Sequence, residues 1–363
     1  MTTIYVYIDA EHGSEADIKD GARAFFRAKN QRPIGMFYAV DDGEVMVWRP
    51  GDPLPDLDWA NVVYVCHNAN FEKQVCKVYK WPEPKRWIDT AALAAMRALP
   101  RKLEKVAEVL GLDMQKDMQG HKLMMRVTRP RKPTKHDKSI WYGGPEEIDR
   151  VLEYGKQDVR VCREIHRVLG DFEADERQVW ELDQKINERG VQVDVQFVRS
   201  MVELWNEHVG NINTELKAIS GISTTNCVKQ IRDWTAKHGC ELPKLNKETV
   251  LEAMARPELP RDVRRVLELR LKASKSSVNK YAAILRSVCP DNRVRDLFLY
   301  GGASTGRWAG RVLQPQNLPR QGLKNYRDWM EIINRKDLAA FEVIGMDVGD
   351  VGMKLVRPTA MAP

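Results

Sequence analysis

The run Ile4-Tyr5-Val6-Tyr7-Ile8-Asp9-Ala10-Glu11 decides how the rest of the chain is read. Apolar and aromatic strand formers lead into two carboxylates one residue apart. Side chains alternate faces along a strand, so Asp9 and Glu11 point the same way at the end of a buried strand. Like charges held side by side repel, and burial raises that cost unless a cation offsets it. Oxygen-only ligands of this kind suit a hard divalent ion such as Mg²⁺ or Mn²⁺. Alone, Asp-x-Glu reads as a solvated strand end; further carboxylates downstream change that reading.

Outward from this strand, Gly35–Trp48 alternates apolar residues around Asp41-Asp42-Gly43, the pattern of a hairpin. Val62–Cys66 is a second short apolar run, and His67-Asn68-Ala69-Asn70 leads from it into a helix over Phe71–Tyr79. Trp87–Thr90 opens a helix over Ala91–Leu99 that Asp89 or Thr90 would cap. Another amphipathic helix covers Lys102–Leu110. Strands and helices alternate through residue 170, which predicts an α/β domain with a mixed sheet. Residues 113–144 break the pattern. Between Lys116 and Lys138 there are eight Lys/Arg against two Asp, with Pro130 and Pro133. This reads as a basic surface loop, either a solvated insertion or an electrostatic contact to nucleic acid. A helix resumes over Pro145–Leu169.

Beyond Asp171 the chain turns helical and strongly charged. Phe172–Arg189, Val195–Ile219, Asn226–Lys237 and Leu259–Val288 carry helical patterns, whereas Val294–Pro363 holds short strand-like runs and a Gly-rich turn. The expected domains are therefore 1–170, 171–293 and 294–363. The 363 residues are 43% hydrophobic and 30% charged with a formal charge of +7, which excludes a disordered chain and favours a polyanionic partner. Six scattered cysteines without a Cys-x-x-Cys pair argue against a zinc site or disulfide framework and fit a reducing cytoplasm. The opening residues show no signal peptide, and no apolar run approaches a membrane span.

Further carboxylates arrive in order: Asp9-x-Glu11, then Asn68-x-x-x-Glu72, then Tyr154-x-x-x-Asp158. The four-residue spacings place each pair on one face of a helix. Four carboxylates and a tyrosine can enclose two divalent ions about 4 Å apart, a pair that stabilises both the attacking and leaving oxygens of phosphoryl displacement. There is no Gly-x-Ser-x-Gly elbow and no Walker loop. His67, with no serine or cysteine arrangement beside it, reads as structural. This ordered set resembles the RNase H-like 3′–5′ exonuclease module with the signature Asp-x-Glu, Asn-x-x-x-Asp, Tyr-x-x-x-Asp. The resemblance implies that Asp9 bridges two metal ions (Mg²⁺ or Mn²⁺), that Glu11 and Asp158 complete the tighter site, and that Glu72 holds the second. It implies that Tyr154 positions the attacking water and that Asn68 orients substrate or backbone. Glu72 departs from the family, which usually carries Asp there; the extra methylene alters reach and leaves the charge unchanged.

A second resemblance is to family A DNA polymerases of the phage type. It rests on Asp183–Asp194, on Gly302-Ala303-Ser304-Thr305-Gly306-Arg307-Trp308, and on Gln314-Pro315-Gln316-Asn317-Leu318-Pro319-Arg320. In that family the matching arginine lies at the primer terminus. Arg307, Gln314 and Asn317 are thus expected at the minor groove and phosphates of primer-template DNA. Arg261–Arg286 resembles the thumb helices that track the duplex, with Arg270, Lys272, Lys275, Asn279 and Lys280 as the backbone contacts. The implied order is an exonuclease domain, a mainly helical thumb and an incomplete palm.

What that family needs for polymerisation is missing. No Ser-x-Ile-Glu follows Asp347, and there is no fingers motif and no His-Asp-Glu motif. Asp347 and Asp350 read instead as flanking a helix that continues to Val356. The expectation is a metal-dependent 3′–5′ DNA exonuclease, binding a single-stranded 3′ end and primer-template duplex, that does not polymerise alone. The alternative is a catalytically weak DNA-clamping subunit completed by a second chain with palm and fingers. A free-standing RNA-trimming exonuclease is a weaker third reading, opposed by the thumb and Thr-Gly-Arg segments.

Overall fold

A computed structural model describes residues 2–112, 117–274, 278–318 and 322–359. The chain divides into two compact units: Met1–Gly190 with Arg295–Gln314, and Val191–Val294 with Pro315–Pro363.

The first unit is built on five strands: β1 (Ile4–Ser14), β2 (Gln31–Val40), β3 (Met46–Trp48), β4 (Val62–Cys66) and β5 (Arg86–Asp89). Their order is β3-β2-β1-β4-β5. The hairpin side β3-β2-β1 is antiparallel, while β4 and β5 run parallel to β1. β1 is therefore central, and it is the strand that the sequence marks by its unbroken apolar run. Val6, Ile8, Phe37, Tyr64, Val65 and Ile88 are fully buried in the core. Helices α1 (Ala22–Arg27), α2 (Ala69–Tyr79), α3 (Thr90–Met96), α4 (Leu103–Val109), α5 (Met118–Val127), α6 (Pro145–Leu169) and α7 (Ala174–Arg189) complete most of the unit.

α6 lies against β1 and β2. Gly155 sets how close it comes. A Cβ there would stand 2.2 Å from Cε2 of Phe37, so any larger residue must displace either the Phe37 ring or the helix. Phe37 is the register partner of Asp9. The contact that glycine permits therefore lies opposite the first site carboxylate.

In this unit the structure differs from the sequence reading at the basic stretch, at the domain boundary and in the segment 295–314. The basic stretch contains α5, capped by Asp117, whose carboxylate accepts from the Gly120 N–H at 2.8 Å. Its Val127 is buried, and Leu123 and Met124 pack on the core. The density of basic residues and the prolines behind it hid that apolar face. The first unit also runs past residue 170 to Gly190, because Trp180 of α7 joins the core and stacks on Phe172. Finally, residues 295–314 return to this unit, carrying short strands β8 (Phe298–Leu299) and β9 (Ala309–Gly310). Asn187 holds them through both amide atoms, accepting from Phe298 N–H and donating to its carbonyl. Asp183 accepts from the Trp308 indole N–H at 2.8 Å.

The second unit is mostly helical: α8 (Val195–Ser220), α9 (Val228–Lys237), α10 (Lys247–Met254), α11 (Arg261–Ala273), α12 (Asn279–Ser287), α13 (Tyr326–Asn334), α14 (Leu338–Ile344) and α15 (Val348–Thr359). A two-residue pair, β6 (Val191–Gln192) with β7 (Arg293–Val294), opens it, and Asp194 caps α8. Helices α13 and α14 occupy ground where the sequence reading expected strand-like runs, and α15 covers the helix it expected to continue to Val356. Their sequence signals are caps: Asp337 accepts from Ala340 N–H, and Asp347 accepts from Asp350 N–H at the start of α15. Among the described residues, no helix is long and apolar enough to cross a membrane, and all six cysteines are free.

Candidate active site

Asp9, Glu11 and Asp158 converge. Each offers a carboxylate oxygen, and these atoms all lie within 4.8 Å of one another. β1 presents the first two on one face, and α6 lowers the third onto them. Tyr154, one turn before Asp158, donates its hydroxyl to that carboxylate. Burial comes first, with Asp158 next, in raising the Tyr154 pKa far above its ordinary value. The phenol thus stays protonated and acts as a donor.

Asp9 and Glu11 repel each other and are repelled by Asp158. Burial, then the charge of Asp158, pushes Asp9 up to about 8. Burial, then Asp9 and Asp158, raises Glu11 well above the carboxylate range. Among the described residues, no lysine or arginine figures in the charges acting on either. Glu72 sits on α2, only 3% exposed. It stands outside the group of three but against it: burial and the charge of Asp9 raise its pKa. Its Oε2 is buried and has no hydrogen-bond partner. An orphaned buried carboxylate oxygen beside three clustered carboxylates is the donor set that a hard divalent cation fits.

Asn68 does not share a helical face with Glu72, as the spacing had predicted. It precedes α2 in a left-handed conformation (φ 88°), a geometry that asparagine tolerates. Asp89 holds it there. That buried carboxylate accepts from the N–H groups of Asn68 and Ala69 at 3.0 and 3.1 Å, and from those of Ala91 and Ala92 at 2.9 and 3.2 Å. One side chain thus ties the starts of α2 and α3 to the end of β5. His67 is structural, bonded to Thr90 Oγ1 and the Arg101 carbonyl.

Two further residues of the site carry no sequence signal of their own. His121 of α5 approaches the Tyr154 hydroxyl at 3.4 Å. Gly155 sets the depth of α6.

The expected DNA contacts are divided between the units. Asn68, Arg307 and Gln314 belong to the first. Arg270, Lys272, Asn279, Lys280 and Asn317 belong to the second, and Lys275 lies outside the described residues. Lys272, Asn279, Arg307 and Asn317 are exposed, whereas burial lowers the pKa of the half-buried Arg270 and Lys280. Of the other arginines on α11, Arg265 pairs with Glu215 and Glu268, and Arg264 donates to the carbonyls of Met254 and Arg256. These two serve the unit's own structure.

The DNA polymerase of Bacillus phage SP02 is 34% identical over 373 aligned residues, which cover 98% of this chain and 57% of that protein. The chain therefore spans little more than half the length of this curated relative. No family model matches it. Among solved structures, the polymerase domain of Pol1 from M. smegmatis, in complex with DNA primer-template and dNTP, superposes with a TM-score of 0.51 at 13% identity. That superposition covers 90% of this chain and 53% of the other. At that identity the likeness is one of fold.

Proposed function

This chain is a homologue of a phage DNA polymerase, and from that premise we propose that its first unit is an RNase H-like 3′–5′ exonuclease. It removes the 3′-terminal nucleotide from single-stranded or frayed DNA and proofreads for a family A polymerase. The observation that carries this reading is the convergence of Asp9, Glu11 and Asp158, with Tyr154 bonded to Asp158. The second unit is read as the helical thumb, with Arg270, Lys272, Lys275, Asn279 and Lys280 along primer-template duplex. Residues 315–363 are read with it as the start of a palm.

Asp9, Glu11, Asp158 and Glu72 would hold two divalent ions, Mg²⁺ or Mn²⁺. Bound there, the ions supply charge stabilisation for the attacking and leaving oxygens. The protein's own residues do the positioning. The Tyr154 O–H is committed to Asp158, so its oxygen is left to accept a hydrogen bond from a water. The rigid β1–α6 contact fixes that oxygen relative to Asp9. Asn68, held by Asp89, faces the substrate from the start of α2.

The test uses the purified chain, 5′-labelled single-stranded DNA and Mg²⁺, with EDTA and an Asp9→Ala/Glu11→Ala double variant as controls. Stepwise shortening from the 3′ end, abolished by both controls, is the expected outcome. Salt-sensitive DNA binding without shortening would instead support a DNA-clamping subunit of a split polymerase, completed by a second chain.

A further inference from the structure

Several arginines in and beside the basic stretch serve the fold. Arg126 pairs with Glu147, Arg131 with Asp137 and Arg150 with Asp117. Lys132, Lys135 and Lys138 are different. They stand in residues 132–139, all of which are exposed. Among the described residues, none of these three lysines has an ion-pair or hydrogen-bond partner.

The segment that carries them is nevertheless built. Pro130 and Trp141 pair in antiparallel fashion, and the Arg131 N–H donates to the Ile140 carbonyl at 2.7 Å. A turn closes the far end, where the Thr134 N–H donates to the Asp137 carbonyl at 2.8 Å. In return the Asp137 N–H donates to Thr134 Oγ1 at 3.0 Å, and the Asp137 carboxylate accepts from the Ser139 N–H at 2.8 Å and from Arg131. At the root, Arg32 of β2 donates to the carbonyls of Val127 and Gly143, both at 3.1 Å, and to that of Tyr142. The guanidiniums of Arg126 and Arg131 lie over the Tyr142 ring, 5.1 and 5.2 Å from its centroid. Residues 130–141 thus form a narrow antiparallel loop with a fixed root and a fixed turn. Its one acid, Asp137, is engaged in that turn.

The chemistry of the tip selects a partner. Three unanswered ammonium groups on one ordered loop repel one another and call for a polyanion. Residues 129–140 contain no Phe, Tyr or Trp, so unpaired bases find no ring to stack on. No large apolar side chain between 130 and 141 is exposed, which removes the apolar face that membrane-surface segments insert. What is left is point charges, with Thr134, His136 and Ser139 as polar neighbours. That set suits the phosphates of a duplex, which are contacted without reading the bases. Because the loop is already ordered, binding costs it little conformational entropy.

We propose that the loop 130–141 is a contact for double-stranded DNA in the first unit, with Lys132, Lys135 and Lys138 on backbone phosphates. The contact requires no hydrolysis, so it stands or falls apart from the exonuclease reading.

Anisotropy of a fluorescent duplex of about 20 base pairs, read in EDTA across a salt series, tests it on the full chain. The variant Lys132→Ala/Lys135→Ala/Lys138→Ala should bind the duplex roughly tenfold more weakly at low salt. Its salt slope should be shallower by about 2 to 3 units, as for three phosphate contacts. Its melting temperature should match the parent's, because the lysines have no partner to lose among the described residues. Lys132→Arg/Lys135→Arg/Lys138→Arg, which keeps the charges, should bind as the parent does. Acetylation of the parent by an N-hydroxysuccinimide ester, read by mass spectrometry, should be slowed several-fold at these three lysines by the duplex, and less by an oligothymidylate of the same length. Parental duplex affinity and slope in the alanine variant would overturn the proposal. So would lysines that the duplex does not shield, or that the single strand shields equally. An alanine variant that binds duplex as the parent does, but no longer sediments with phosphatidylserine vesicles, would assign the loop to a membrane instead.

Discussion

Two charged regions of this chain treat their charges in opposite ways. Around Asp9 the fold buries carboxylates beside one another and, among the described residues, sets no basic group against Asp9 or Glu11. It leaves Glu72 Oε2 without a partner. On α11 of the second unit, Arg265 is answered by Glu215 and Glu268, and Arg264 by two backbone carbonyls. Burying like charges costs several kcal/mol unless something neutralises them, so the first arrangement marks a group the chain itself does not supply. The second marks a helix packing on its neighbours. Formal charge alone would have ranked the regions the other way, because basic residues are the more numerous.

The largest effect should come from breaking the first region. Asp158→Asn, which keeps the shape of the carboxylate, should lower 3′–5′ hydrolysis by roughly 10³-fold, the size expected for losing a metal-binding charge. A stopped-time assay on labelled single-stranded DNA reads it directly, and activity within tenfold of the parent would remove Asp158 from the site.

Next comes the geometry that assembles the region. Gly155→Ala sets a methyl against Phe37 and should cost about 1–3 kcal/mol of stability. It should also lower hydrolysis by about 10²-fold, because Tyr154 and Asp158 move off Asp9 and Glu11. Phe37→Leu in the same chain should recover part of both losses. Purely additive losses in that double variant would mean that the two residues do not meet.

The uncompensated charge also predicts a pH dependence. Folding raises Asp9 from its ordinary value near 3.8 to about 8. Between those values the folded chain holds a proton that the unfolded chain has released, so stability is greatest below the lower pH and is lost as pH rises to the upper one. In EDTA the melting temperature should fall across that window, with Glu11 and Glu72 adding in the same direction. Mn²⁺ should raise it more at pH 8 than at pH 6. A metal-independent melting temperature at pH 8 would speak against cation binding by these carboxylates.

Much of the first region was legible because its signals are local. An apolar strand ending in Asp-x-Glu and a Tyr-x-x-x-Asp on a capped helix state their own geometry. What stayed hidden is what depends on a distant partner. Gly155 reads as an unremarkable helix glycine until Phe37 is placed 2.2 Å from its absent Cβ. Asn68 obeys the helical spacing to Glu72, yet Asp89, whose four bonds are invisible in a linear reading, holds it outside the helix. By sequence the segment 295–314 groups with residues 315–363, but Asn187 and Asp183 draw it back to the first unit. Its Gln314 thereby joins Asn68 at one cleft.

The smallest expected effect belongs to the second region. The Arg265 and Glu215 side chains are 40% and 42% exposed, so water and salt screen much of their attraction. Arg265→Ala should therefore cost about 0.5–1 kcal/mol, and less in high salt. The side chain is bonded to two carboxylates of its own unit, so its loss should leave DNA affinity at its parental value in the anisotropy assay. A pronounced drop in affinity, with stability barely changed, would show that the guanidinium reaches the phosphate backbone despite its partners. The contrast between a balanced region and an unbalanced one would then fail at this residue, and the rest of α11 would have to be read as a duplex contact.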